Sequence, residues 1–135
     1  NYIMILITGG RAQGKSAFAH ENYGGDAFIM DGLQDIIKGW LACLPADHTE
    51  KLTEKGRAGA DESQSDILSR AFMEDVMSDV PDDAIIICDE VGCGIVPLDR
   101  AERLYRDIVG HVCCAVAARA DSVIRVFCGT GIKIK

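Results

Sequence analysis

The chain alternates short apolar runs with longer stretches in which apolar residues return every three or four positions. Residues 2–7 form an unbroken apolar run, and 27–31 and 84–88 repeat that character at strand length. Continuous runs mark parallel strands buried on both faces, because a half-exposed strand would alternate instead. Residues 122–128 read as a further strand, Gly129-Thr130-Gly131 as a turn, and 132–135 as a short edge strand with outward lysines. Between these, Ile36, Ile37, Trp40, Leu41 and Leu44 fall at helical spacing over 34–44, and Pro45 closes that helix. Ser65 is a candidate N-cap for a helix through Val80, with Ile67, Leu68, Phe72, Met73, Val76 and Met77 on one face. A long helix is predicted over 99–120 with Leu104, Ile108, Val112 and Val116 inward, and a short one over 15–20 that stops near Asn22. Strands and helices alternate throughout, so the expected fold is α/β, a mostly parallel central sheet flanked by helices.

The pattern lapses once. Residues 45–64 hold Lys51, Glu54, Lys55, Arg57, Asp61 and Glu62 with Leu52 as the one sizeable apolar side chain. A polar excursion of that length is either a lid over a site or a solvated loop. The length, 135 residues, suits one domain spanning 1–135. The apolar runs are far below a membrane span and no signal peptide precedes the first strand, so the expected location is cytoplasmic. A net charge of −7 argues against a nucleic-acid partner. The six cysteines, Cys43, Cys88, Cys93, Cys113, Cys114 and Cys128, form no C-x-x-C pair and read as buried reduced thiols.

The first apolar run leads directly into Gly9-Gly10-Arg11-Ala12-Gln13-Gly14-Lys15-Ser16 and then into a helical segment. That is the strand, loop and helix order of a phosphate-binding P-loop. Glycines let the backbone turn so that successive N–H groups face one anion-sized hollow, and the helix N-terminus adds partial positive charge. Lys15 would reach the β- and γ-phosphates, and the Ser16 hydroxyl would ligate Mg²⁺. An intact loop implies nucleotide binding; it does not by itself imply turnover.

The run 84–88 ends in Asp89-Glu90, as a Walker B strand does. One carboxylate there can hold Mg²⁺ directly or through water, and its neighbour can polarise an attacking hydroxyl. Spacing alone does not assign the two jobs, so Ser16, Asp89 and Glu90 form the candidate metal set.

The segment Glu90-Val91-Gly92-Cys93-Gly94-Ile95-Val96-Pro97 closely resembles that of the bifunctional adenosylcobinamide kinase/adenosylcobinamide-phosphate guanylyltransferase family of cobalamin biosynthesis. The likeness continues through Arg100, Tyr105-Arg106-Asp107, Gly110, Ala120-Asp121 and the Gly-x-Gly-x-Lys-x-Lys tail, and Met4 to Ser16 resembles the family's opening. The resemblance implies a P-loop NTPase fold. It also implies a kinase that uses GTP or ATP with Mg²⁺ to phosphorylate the terminal hydroxyl of the aminopropanol arm of adenosylcobinamide. By the same resemblance Gly9 to Ser16 bind the phosphates, Lys15 and Glu90 are catalytic, Gly92 to Pro97 lie near the substrate, and the protein is a homo-oligomer, a trimer.

The departures are informative too. Family members carry a further strand, a helix with a guanylylated histidine, and an Arg- and Trp-containing stretch soon after the P-loop helix. Here Phe28 to Leu33 resembles a later Asp-Cys-Leu segment, which implies a shortened member and counts against guanylyl transfer. His20, His48 and His111 are the remaining candidate nucleophiles. Cys113-Cys114 stands where the family usually has Asn-Gln, and Asp89 is often Asn. Two other readings therefore stay open: a non-catalytic nucleotide-binding regulator or partner, and a P-loop kinase of another hydroxylated small molecule.

Overall fold

The computed structural model describes residues 3–45, 63–91 and 99–135. Most of the polar stretch 45–64, with His48, and the whole of 92–98, with Cys93, lie outside the described residues. In chain order the elements are β1 (Ile5–Gly9), α1 (Lys15–Tyr23), β2 (Ile29–Asp31), α2 (Leu33–Cys43), α3 (Gln64–Asp75), a 3₁₀ turn (Met77–Asp79), β3 (Ile85–Asp89), α4 (Arg100–Arg119), β4 (Ser122–Phe127) and β5 (Thr130–Lys133).

The sheet is mixed, in the order β2-β3-β1-β4-β5. The first four strands are parallel, and β5 returns antiparallel beside β4. The pleat divides each apolar run between two layers. Ile5 and Ile7 of β1 and Ile85 and Ile87 of β3 face α1, packing with Ala19, Phe18 and Tyr23. Leu6, Ile86 and Cys88 point the other way, into a larger core with Leu33 and Ile37 of α2, Leu68 and Phe72 of α3, and Ile108, Val112 and Val116 of α4. Burial on both faces is why these strands carry no polar alternation. No described helix is long and apolar enough to cross a membrane.

Local chemistry moves several boundaries. Helix α3 is capped by Ser63, two residues earlier than Ser65. The Ser63 hydroxyl accepts the Asp66 N–H at 3.2 Å while Asp66 Oδ2 accepts the Ser63 N–H at 3.3 Å, a reciprocal capping box. Ser65 is instead buried in the first turn. The same helix ends at Asp75 rather than Val80, and a 3₁₀ turn carries Met77 into the core. Val80 must leave helical geometry (ψ 130) because Pro81 follows it. Helix α1 runs on to Tyr23 before Gly24.

Of the terminal lysines, Lys133 is exposed as expected, but Lys135 is not simply outward. Its Nζ donates to the carbonyl oxygens of Ala117, Ala118 and Ala120 at 2.7–3.3 Å, neutralising the negative end of α4. The cysteines are a correction as well. Cys88 is buried, but Cys43, Cys114 and Cys128 are exposed, because each sits at a helix end, on an outer helix face or in a turn.

Candidate active site

The site forms where β1 and β3 end. Their parallel register sets Gly9 beside Asp89, and the Glu90 N–H donates to the Gly9 carbonyl at 2.9 Å, so the glycine-rich loop and the acid pair leave the sheet together. The loop closes on Gly14, whose left-handed φ of 87 puts it at the N-cap of α1, a conformation that disfavours any side chain. Ala12 also has a positive φ, 59, so the backbone folds tightly between Gly10 and Lys15.

Lys15, only 6% exposed, turns back over this loop. Its Nζ donates to the Gly10 carbonyl at 2.6 Å and pairs with Asp89 Oδ1 at 2.7 Å. Ser16, next along α1, is exposed, and its hydroxyl donates to Asp31 Oδ2 at 2.5 Å. Asp31 is the last residue of β2, the strand on the far side of β3. Glu90 is held on the other side: Arg125 of β4 reaches across β1 and grips its carboxylate with two bonds, at 2.8 and 3.1 Å. The two acids thus have different environments, one against a buried lysine and the other against a half-exposed arginine.

Gln34 steadies the end of β3. Its Oε1 accepts the Asp89 N–H at 3.0 Å, and its own carbonyl accepts the Tyr105 hydroxyl at 3.1 Å. Burial, and then the nearby Asp35 carboxylate, push the Tyr105 phenol up to about 12. Just behind Asp89, Cys88 touches Cys113 with their sulfurs 3.4 Å apart, and that contact together with burial holds the Cys88 thiol well above its usual range.

A pocket of about 420 Å³ opens beside the loop. Arg11, Lys38 and Arg106 line it together with Asp89, Glu90 and Tyr105, so it presents both charges at close quarters. The fold brings together Gly9, Gly10, Arg11, Gly14, Lys15, Ser16, Asp89 and Glu90 of the sequence reading. Gln13 faces the β4–β5 turn. Asp31, Gln34 and Arg125 join the site without having been singled out. Asp31 carried a signal, an acid ending an apolar run, as Asp89 does; Gln34 and Arg125 carried none. His20 is exposed in the last turn of α1, and His111 Nε2 lies 3.2 Å from Asp66, on the α3–α4 side of the sheet.

The sequence matches the family described as cobinamide kinase / cobinamide phosphate guanyltransferase over residues 26–134. That stretch includes Asp31, Gln34, Asp89, Glu90, Tyr105 and Arg125; the glycine-rich loop precedes it. The bifunctional adenosylcobalamin biosynthesis protein CobU of Salmonella typhimurium is 47% identical over 113 residues, 82% of this chain and 59% of that protein. The protein of the same name from Escherichia coli is 46% identical over 55 residues, 41% of this chain and 30% of its own length. The chain therefore spans about three-fifths of the length of the Salmonella relative. A family match over most of the chain, with nearly one residue in two shared with that relative, shows that the chain belongs to the cobinamide kinase / cobinamide phosphate guanyltransferase family.

Proposed function

We propose that this chain is a nucleoside-triphosphate-dependent kinase in cobalamin biosynthesis, transferring the γ-phosphoryl of GTP or ATP to the terminal hydroxyl of adenosylcobinamide. The observation that carries the reading is the position of Lys15. A buried ammonium lies over a glycine-rich loop at a helix N-terminus, paired with Asp89, which together with Glu90 lines the adjoining pocket. Family membership and the name of the Salmonella relative support the corrinoid pathway.

The loop amides and the start of α1 would receive the phosphates. Phosphate oxygens would then replace the Asp89 carboxylate and the Gly10 carbonyl as partners of Lys15, which neutralises the transferring group. Glu90, aligned by Arg125, would take the proton of the acceptor hydroxyl as its oxygen bonds to the γ-phosphorus and the bond to the β-phosphate oxygen breaks. The nucleoside diphosphate leaves.

The donors beside the loop fit a hard cation. Ser16, Asp31 and Asp89 offer oxygen alone, which suits Mg²⁺. Among the described residues no three acids, histidines or cysteines cluster closely enough to hold a metal between them. In phosphoryl-transfer sites Mg²⁺ is usually held by one or two carboxylates together with phosphate and water. When bound, Mg²⁺ would neutralise phosphate charge.

Guanylyl transfer is not part of the proposal. Five residues, 24–28, join α1 to β2, leaving no room there for a histidine-bearing strand and helix. Self-association is part of it. Phe127, Ile132 and Ile134 are 55–62% exposed, and among the described residues the outer edge of β5 is unpaired, so a second copy would cover it. Light scattering behind size exclusion tests that point.

The deciding experiment supplies adenosylcobinamide, Mg²⁺ and GTP or ATP labelled separately at the γ- and α-phosphates. Label from the γ-position on the corrinoid is expected. Label from the α-position would restore guanylyl transfer, and neither label would leave a nucleotide binder or a kinase of another hydroxyl compound.

A further inference from the structure

Gln13 contacts the β4–β5 turn through both its side chain and its main chain. Its Oε1 accepts the Cys128 N–H at 2.9 Å, and its main-chain carbonyl accepts the Gly129 N–H at 2.8 Å. Cys128 and Gly129 are the two central residues of the hairpin that Phe127 and Thr130 close. Both are left-handed, with φ of 50 and 75, the arrangement that tight two-residue hairpins adopt. A left-handed cysteine is disfavoured on its own and persists where its surroundings hold it.

The rest of the hairpin lies against the same segment. A Cβ on Gly9 would collide with the Val126 carbonyl oxygen, one on Gly14 would come within 3.3 Å of Gly129 Cα, and one on Gly131 would run into the Phe18 ring of α1. Strand end, loop and first helix are thus each touched in turn by β4, its turn and β5.

We propose that Gln13 is a positioning residue: it fastens the glycine-rich loop to the β4–β5 hairpin, so that the loop holds its phosphate-binding shape before nucleotide arrives. This rests on the nucleotide reading above. A loop of glycines and small residues loses backbone freedom when it closes on a ligand, and a loop already fastened loses less. A neutral amide suits the task. Its oxygen accepts the Cys128 N–H without setting a negative charge beside the phosphates, as a glutamate would.

The test uses the full chain, Mg²⁺ with GTP and separately ATP, and three variants. Gln13→Met keeps the length and the main-chain bond but removes the side-chain acceptor; Gln13→Glu keeps the acceptor; Lys15→Ala is the control for nucleotide binding. Gln13→Met is expected to weaken nucleotide affinity about fivefold in calorimetric titration. It is also expected to raise the nucleotide KM more than it lowers kcat, and to speed hydrogen exchange at the Cys128 amide. Gln13→Glu is expected to restore slow exchange at that amide. Unchanged affinity in Gln13→Met, with the unaltered chain binding and Lys15→Ala not, would overturn the inference while leaving the nucleotide reading intact. A lower melting temperature with unchanged affinity would overturn it too, since the contact would then be purely stabilising. If the unaltered chain bound neither nucleotide, the nucleotide reading itself would fall, and the inference with it.

Discussion

Lys15 Nζ lies 2.7 Å from Asp89 Oδ1, an ion pair that ties the first residue of α1 to the last residue of β3. The lysine is 6% exposed and the aspartate 28%, so the pair is neither a surface contact nor fully dry. Asp89→Asn would leave the buried ammonium without its counter-charge, facing neutral oxygens alone, those of the new amide and of the Gly10 carbonyl. A loss of about 2 kcal/mol in urea unfolding is expected, between the values for exposed and buried pairs. Adding Lys15→Met should recover part of that loss, giving a clear coupling energy in the double-mutant cycle. Equal stability of Asp89→Asn and the unaltered protein would mean the pair contributes nothing. Lys15→Ala should abolish phosphoryl transfer and sharply weaken nucleotide binding, since in the proposed reaction the same ammonium meets the phosphates.

Glu90 should behave differently, because its partner is Arg125 rather than the lysine. Glu90→Gln keeps the shape and can still meet the guanidinium, but it cannot take a proton. Nucleotide affinity is expected to hold while kcat falls about 10²-fold, the lower end for loss of a positioned base. Transfer kinetics at saturating nucleotide measure this. An unchanged rate would remove Glu90 from the chemistry and leave it a structural partner of Arg125.

The 2.5 Å bond from Ser16 to Asp31 brings the end of a third strand to the site. If these oxygens serve Mg²⁺, Asp31→Asn and Ser16→Ala should each raise the Mg²⁺ concentration needed for half-maximal transfer, by about tenfold. The double variant should be little worse than either single one, since the two act as a unit. A full additive loss would show that the two side chains serve separate purposes.

How far this site can be read from sequence depends on how local each contact is. The loop from Gly9 to Ser16 is contiguous, so its residue types announce its shape. The acids at 89 and 90 announce themselves by ending an apolar run, as Asp31 does. What puts Asp31 beside Ser16 is the strand order, with β2 outside β3, and no spacing encodes that. Arg125 meets an acid 35 positions away through the pairing of β4 with β1, and Gln34 meets the Asp89 amide 55 positions away. The core is legible for the opposite reason: strands buried on both faces must be apolar throughout, and Ile85, Ile86 and Ile87 leave no other reading. Ser63 shows the limit at short range. Both it and Ser65 precede an apolar face, and only Asp66, three residues after Ser63, distinguishes the true cap.

That cap also makes a pH prediction. The Ser63 hydroxyl and N–H donate to Asp66, and these two bonds, more than the nearby His111, hold its carboxyl below the usual value of 3.8. The folded protein therefore binds this proton less readily than the unfolded chain does. Stability from the group is fully present above pH 3.8 and is lost as pH falls through the lower folded value. Asp66→Asn, which gives up the charge-assisted acceptor, should melt below the unaltered protein at pH 7. The gap should narrow as the pH drops under the unfolded value and close once the native carboxyl is protonated. Thermal melts of both proteins from pH 7 down into this acid range would measure it, and a gap constant with pH would show that the cap acts by shape alone.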